Sequence, residues 1–316
     1  MRKILNILLL LVVCLGARAQ REFPYPQIPE EMTENSERLG WMLTHFWESY
    51  DFGDCGEENR ALGEQGFVDF ASLMGHADST QMAEAARVFV DKAWRSENRE
   101  AFADLMTRYM GDPQSPVHDD RIYAALLEAV GNEDGISKPE RDKARELKEL
   151  VSMNMPGTYA ADFEYIDRQG KKNTLYGTKG RYTLLYFSDP ECDHCREMLD
   201  KVKSSKIANT EGVTVLRIYP EENVAAWQAE DALIPATWID ARVSGGSLVQ
   251  RGLYWFAQMP SLYLLDEEKR VIAKELNIEH CRCALTCADQ HPRLNRILAI
   301  SRRRDQACFG SQCARH

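Results

Sequence analysis

Apolar positions recur at three- and four-residue spacing from Ser36 to about Met153, and at two-residue spacing after Met155-Pro156-Gly157. The first period is that of an amphipathic helix, the second that of a strand with one buried face. The chain is therefore expected to hold an all-α segment, 36–154, and an α/β domain, 156–280. In the first part Leu39, Met42, Leu43, Phe46 and Trp47 form one stripe. Met82, Ala86, Phe89, Val90 and Ala93 form another behind an expected Ser79 N-cap. Phe102, Leu105, Met106 and Tyr109 repeat the pattern up to Gly111-Asp112-Pro113. A short helix over Ile122 to Val130 ends at Gly131-Asn132, and Ser137-Lys138-Pro139-Glu140 opens a charged helix to about Val151. Five or six helices and no strand are expected here. Trp41, Phe46 and Trp47 are assigned to the core by their spacing rather than to a groove, and a solenoid-like stacking of helix pairs stays open.

In the second part Asp162 to Asp167 and Asn173 to Tyr176 flank Arg168-Gln169-Gly170-Lys171-Lys172, a hairpin pattern. Tyr182 to Phe187 and Val213 to Tyr219 read as strands, Arg196 to Lys206 and Asn223 to Ala229 as helices. Pro260 to Leu265 and Val271 to Glu275 form a second hairpin around Asp266-Glu267-Glu268-Lys269. This order predicts a mixed central sheet flanked by helices.

The chain has 316 residues and a formal net charge of −10. Its start, with Arg2 and Lys3 before an apolar run from Ile4 to Leu15 and then Ala17-Arg18-Ala19, has the form of a secretory signal peptide over 1–19. Lipid attachment at Cys14 is the alternative, disfavoured because Val13 stands where a small residue is expected. A Pro-rich stretch, 20–35, is expected as an extended arm. The expected location is the periplasm, an oxidising compartment. No later segment is long and apolar enough to span a bilayer, and the acidic balance of the chain argues against nucleic acid or an anionic membrane as partner.

The chemistry concentrates at Cys192-Asp193-His194-Cys195, between an expected strand and an expected helix. A Cys-x-x-Cys pair there is a dithiol redox pattern. The helix start and His194 are both expected to favour the Cys192 thiolate, with Cys192 attacking and Cys195 resolving. The alternatives are an inert disulfide or half of a zinc site, and the latter would need a second ligand pair.

Residues 156–278 resemble the thioredoxin-like superfamily, specifically the secreted TlpA/ResA-type thiol–disulfide oxidoreductases. Ala161-Asp162-Phe163 in the first hairpin, Leu184 to Glu191 leading into the dithiol, and Met259-Pro260 before a strand carry the resemblance. It implies a cis peptide bond at Pro260 beside the dithiol, and a client polypeptide contacting Met259. The preceding helical segment resembles a domain of unknown function, DUF5106, on Trp47-Glu48-Ser49-Tyr50-Asp51-Phe52-Gly53-Asp54. Two departures stand out. Tyr186 occupies the place of the buried acid of thioredoxin, and Met198 that of the ResA-type acid, with Glu197 one residue earlier. Proton handling at Cys195 is left to Glu197, to water or to nothing. The inner Asp193-His194 pair resembles oxidising and isomerising members and implies a less reducing potential.

The last stretch, 281–316, carries seven Arg, no Lys and five of the nine Cys. Cys281, Cys283, Cys287 and His291 follow no established zinc spacing, so disulfides within the tail or a shifted reading frame are preferred, and the tail is expected to be poorly ordered. Cys55 lies in a polar loop, free or paired with the tail, and His45 and His76 are lone histidines. No phosphate-binding, dinucleotide-binding or serine-hydrolase motif is present. The sequence thus predicts a cofactor-free, metal-free oxidoreductase. It would act on client proteins, with His194 and Glu197 tuning the pair and Met259 and Pro260 shaping the groove. A periplasmic or membrane electron partner is implied. The contrasting class is a secreted binding protein whose thioredoxin-like domain is a scaffold or redox switch.

Overall fold

The computed structural model describes residues 22–221, 223–228, 233–276 and 278. The expected signal segment, Cys14 and the tail 281–316 lie outside them. The chain divides into two compact units, Met1–Leu105 and Met106–His316.

The first unit holds α1 (Asn35–His45), α2 (Glu57–Met74), α3 (Ser79–Trp94) and the start of α4 (Arg99–Met110). Its core is aromatic: Phe46, Trp47, Phe67, Phe70, Phe89 and Phe102 are all buried. The extended arm contributes to it, since Phe23 stacks on Phe46 at 5.0 Å and meets Trp47 edge-on at 5.4 Å. Helix α2 has no counterpart in the expected elements. Gly63 and Gly66 interrupt its apolar pattern, and both are needed, because a Cβ at Gly66 would run into the Phe23 ring and one at Gly63 into Tyr50. The N-cap of α3 is Asp78, not Ser79. Its carboxylate accepts from the N–H groups of Thr80 and Gln81, and Gln81 accepts the Asp78 N–H in return. A carboxylate one residue earlier closes this reciprocal box better than the serine could.

The second unit contains the rest of α4, α5 (Asp120–Asn132) and α6 (Lys138–Val151), followed by the sheet domain. Residues 106–154 are tied into this unit by buried polar contacts. Lys274 Nζ donates to the Val151 carbonyl at 2.9 Å and pairs with Asp120 at 3.4 Å. Asn154 donates to Leu253 O and accepts the Ala161 N–H. The sheet domain runs β1 (Glu164–Asp167), β2 (Lys172–Thr174), β3 (Tyr182–Phe187), α7 (Asp193–Ser204), β4 (Val213–Tyr219), α8 (Val224–Gln228), β5 (Ile239–Val243), β6 (Ser261–Leu265) and β7 (Val271–Ala273). The strand order is β2-β1-β5-β4-β3-β6-β7, with β3, β4 and β5 parallel and the rest antiparallel.

Every side chain of β3 is buried, so this central strand has both faces covered. Leu185 and Phe187 join Phe163, Leu216, Tyr254 and Tyr263 on one face. Leu184 and Tyr186 join Leu199 and Val202 of α7 on the other. Strand β5 is an addition to the expected set, masked in the sequence by Asp240 and Arg242. Strand β7 ends at Ala273 rather than at Glu275, whose φ of +51° turns the chain out of the ladder. The mixed sheet with flanking helices, after helices, is the expected α/β arrangement.

Candidate active site

Strand β3 ends at Phe187, and Ser188 still bonds to β4 through its N–H to Ile218 O. Asp189 then turns the chain by accepting the Glu191 N–H, which delivers Cys192 to the N-cap of α7. Cys192 Sγ accepts the Cys195 N–H at 3.2 Å, the position normally filled by a serine or aspartate oxygen. On its other side it lies 3.8 Å from the Met259 carbonyl oxygen. The Met259–Pro260 peptide bond is cis. Cys192, Cys195, Met259 and Pro260, 67 and 68 residues apart in part, thus meet at the C-terminal edge of β3 and the start of β6.

Both thiols are free, with Cys192 half-buried and Cys195 buried. Burial pushes the Cys195 thiol up to about 12, and the adjacent Cys192 thiol adds to the rise. The Asp189 N–H, 3.5 Å from Cys195 Sγ, and the Ser188 hydroxyl act in the opposite sense. The two sulfurs therefore differ in burial, Cys192 reachable from solvent and Cys195 enclosed.

His194 and Glu197 lie on the exposed side of α7, with Nδ1 3.8 Å from the Glu197 carboxylate. Glu197 is 77 % exposed, whereas Cys195 is 1 % exposed. Met198 packs against the α7-side core. Tyr186 is buried and its hydroxyl donates to the Cys195 carbonyl at 3.3 Å.

Three buried ionisable residues near this edge were not singled out from the sequence. Arg217 and Asp240 are register partners on β4 and β5, and Tyr186 neighbours Arg217 on β3. Arg217 Nη1 donates to Asp240 at 3.0 Å and Nη2 to the Ser188 hydroxyl at 3.3 Å. Glu275 accepts from Ser261, the residue after the cis proline, at 2.9 Å. It lines a cavity of ≈ 30 Å³ with His194, Met198 and Pro260. Burial raises its carboxyl to about 7, and the Ser261 hydrogen bond acts in the opposite sense. The only sequence signal for Arg217 was one charge inside the apolar run Val213–Tyr219, and for Glu275 a charge just beyond β7.

Among the described residues no group of three or more His, Cys, Asp or Glu could hold a metal ion. The four tail residues weighed as ligands lie outside them. Cys55 is exposed and free. No described helix is long and apolar enough to cross a membrane.

The family of domains of unknown function DUF5106 matches residues 12–154. A thioredoxin-like protein from Bacteroides caccae, known as a crystal structure, is 27% identical. The match covers 84% of this chain and 99% of that one, with a TM-score of 0.72. The C-terminal domain of an uncharacterized protein from Bacteroides fragilis is 31% identical over 43% of this chain and 98% of its own, with a TM-score of 0.40. The thioredoxin domain of a thiol-disulfide oxidoreductase from Bacteroides vulgatus is 22% identical over 43% of this chain and 96% of its own, with a TM-score of 0.34. No curated protein matches the chain in sequence.

Proposed function

Because this chain carries a DUF5106 segment followed by a thioredoxin-like domain, we propose that it is a periplasmic thiol–disulfide oxidoreductase acting on client proteins. The observation that carries the reading is Cys192 Sγ, held between the Cys195 N–H and the Met259 carbonyl at the start of α7. The N–H groups at a helix start, which have no partner within the helix, favour negative charge on a sulfur placed there. The Cys192 thiolate attacks one sulfur of a client disulfide. A Cys192–client disulfide forms, the client S–S bond breaks, and the departing client thiolate takes up a proton. Cys195 then attacks Cys192 Sγ and releases the second client sulfur as a thiol. The client has gained two electrons and the Cys192–Cys195 pair has lost them. Run backwards, the same steps oxidise a client dithiol. Met259 offers the client a backbone carbonyl beside the attacking sulfur, and Pro260, lacking an N–H, adds no donor of its own at the start of β6. An electron partner of the same compartment resets the pair, and the signal-like residues 1–19 support that location.

The test is Cys195→Ser, which removes the resolving thiol. The variant should accumulate mixed disulfides with other secreted proteins, cleavable by reductant and absent from Cys192→Ser/Cys195→Ser. A Cys195→Ser protein that captures nothing, from a wild-type chain that leaves an added disulfide substrate intact in both directions, would overturn the reading.

A further inference from the structure

An open groove of ≈ 450 Å³ lies within the second unit. Its walls include Pro113 from the loop after α4, Tyr123 of α5, Leu147 of α6, and Trp255 and Gln258 from the segment that leads to the cis proline. Pro113 and Gln258 also line the small cavity that holds His194 and Pro260. Gln258 precedes Met259, whose carbonyl oxygen lies 3.8 Å from Cys192 Sγ. The groove therefore ends one residue from the contact with the attacking sulfur.

Two polar groups of this groove are left over by the fold. Tyr123 is only 4% exposed, yet its hydroxyl makes no hydrogen bond among the described residues. It faces Gly111, another lining residue, where a Cβ would come within 3.4 Å of it. Buried polar groups ordinarily have a partner, so an exception inside a groove points to a ligand. Asp112, at the rim, accepts the Gln114 N–H through Oδ1 at 2.8 Å and has no cation beside it among the described residues. The basic residues adjacent in sequence to the lining positions are engaged elsewhere. Lys148 pairs with Glu128 and Glu149, and Arg108 lies over the Tyr109 ring. Leu147, Pro113 and the half-buried Trp255 ring supply the apolar surface. A groove that served packing alone would close the Tyr123 hydroxyl on a partner within the fold.

Resting on the dithiol reading above, we infer that this groove is a client-binding site, and that it takes an arginine of the client polypeptide close in sequence to the client's reactive cysteine. The methylene stem covers Leu147 and Pro113, as long cationic side chains do on apolar surface. The guanidinium lies on the Trp255 ring and donates to the Asp112 carboxylate and the Tyr123 oxygen. The free carboxylate sets the sign of the preferred charge, and the buried hydroxyl sets the depth at which the head stops.

The experiment uses the reduced full chain and synthetic peptides whose single cysteine is blocked as a mixed disulfide with thionitrobenzoate. Arginine, glutamine, glutamate or leucine is placed at successive positions on either side of that cysteine. Cys192 attacks the peptide sulfur, the peptide–thionitrobenzoate bond breaks, and thionitrobenzoate leaves with the electron pair and is read by its absorbance. Cys195 then attacks Cys192 Sγ and frees the peptide thiol. Reaction at other cysteines is read from Cys192→Ser and subtracted. At one position the arginine peptide should show a second-order rate constant about tenfold above that of the glutamine peptide, with the glutamate peptide slowest. The preference should shrink as salt rises. Asp112→Asn and Tyr123→Phe should each bring the arginine and glutamine peptides to within about threefold, and Asp112→Lys should put glutamate ahead of arginine. Tyr123→Phe removes only an oxygen that has no partner in the fold, so it decides the matter if an Asp112 variant misfolds. If Cys192 opens every peptide at the same rate, or the leucine peptides fastest, the inference falls and the dithiol reading stands. The same holds if the arginine preference survives all three variants unchanged. If thionitrobenzoate release is equal in the wild type and Cys192→Ser, the dithiol reading falls and takes the inference with it.

Discussion

The two units bury different chemistry. Among the described residues of the first, the buried polar side chains are Asn59 and Asn98, surrounded by aromatic rings. Both hold backbone: Asn59 donates to the carbonyls of Asp51 and Asp54, and Asn98 to those of Phe52 and Asp54. The second unit buries Arg217, Asp240, Lys269, Lys274 and Glu275 beside its apolar clusters. Buried charge is costly, and an apolar core of equal volume is commonly as stable or more so. Among its described residues the first unit buries rings and the two amides that hold backbone, and no charge. The second tolerates charges, and Arg217 and Glu275 are linked by hydrogen bonds to Ser188 and Ser261, residues that adjoin the dithiol edge.

The comparison breaks most visibly if a core residue of the first unit matters to the thiols. Trp47 is almost fully buried and contacts Phe70, Phe89 and Phe102. Trp47→Ala should cost about 3–5 kcal/mol in denaturant unfolding. The same variant should leave the reduction potential of the Cys192–Cys195 pair unchanged. A shifted potential in a protein that remains folded would contradict the division of labour.

The next effect tests a charge of the second unit. Burial pushes the Glu275 carboxyl from its ordinary value of 4.5 up to about 7. Between those values the folded state binds the proton that the unfolded state has lost, so stability falls as pH rises. This contribution is full below pH ~4.5 and gone above pH ~7, a difference of about 3 kcal/mol. Glu275→Gln should flatten that part of the stability–pH curve, gaining on the wild type at pH 8 relative to pH 5. Parallel curves for the two proteins would show that Glu275 does not titrate there.

Gly66→Ala should cost about 1–3 kcal/mol, because the Phe23 ring occupies the space a methyl group needs. Combining it with Phe23→Ala should recover part of that loss, measured as a double-mutant cycle in denaturant unfolding. Glu197→Gln should be the smallest, under about 0.5 kcal/mol in stability, because the carboxylate and its His194 partner are both exposed. A large change in the Cys195 attack rate in this variant would restore Glu197 to proton handling.

These outcomes also separate what the sequence makes legible from what it hides. Periodic burial exposes α1, α3, α5, β3 and β4, since there one stripe or one run is apolar and its neighbours are not. The dithiol is visible because a two-residue gap puts both sulfurs on one helix start. Helix α2 is hidden because two glycines stand where the apolar stripe should run, and their reason, the rings of Phe23 and Tyr50, is distant in the chain. Strand β5 is hidden because Asp240 looks like a surface residue until Arg217 and Arg168 are placed beside it. Arg217 is one charge inside β4 and Glu275 follows Lys274 just beyond β7, and only the fold brings them to Ser188 and Ser261. The resemblance singles out Tyr186, where an acid is missing. Arg217 lies beside it on the neighbouring strand, in register with it.

The central claim is that Cys192 and Cys195 form a reversible redox pair. Its most direct measurement is equilibration of the purified full chain in graded mixtures of reduced and oxidised glutathione or dithiothreitol, with alkylation and mass spectrometry to count Cys192–Cys195 disulfide. The account predicts a two-electron transition with a potential between about −270 and −120 mV, the span of thioredoxin-fold dithiols. A pair that stays reduced through every mixture, or forms a disulfide that no mixture reopens, would contradict it.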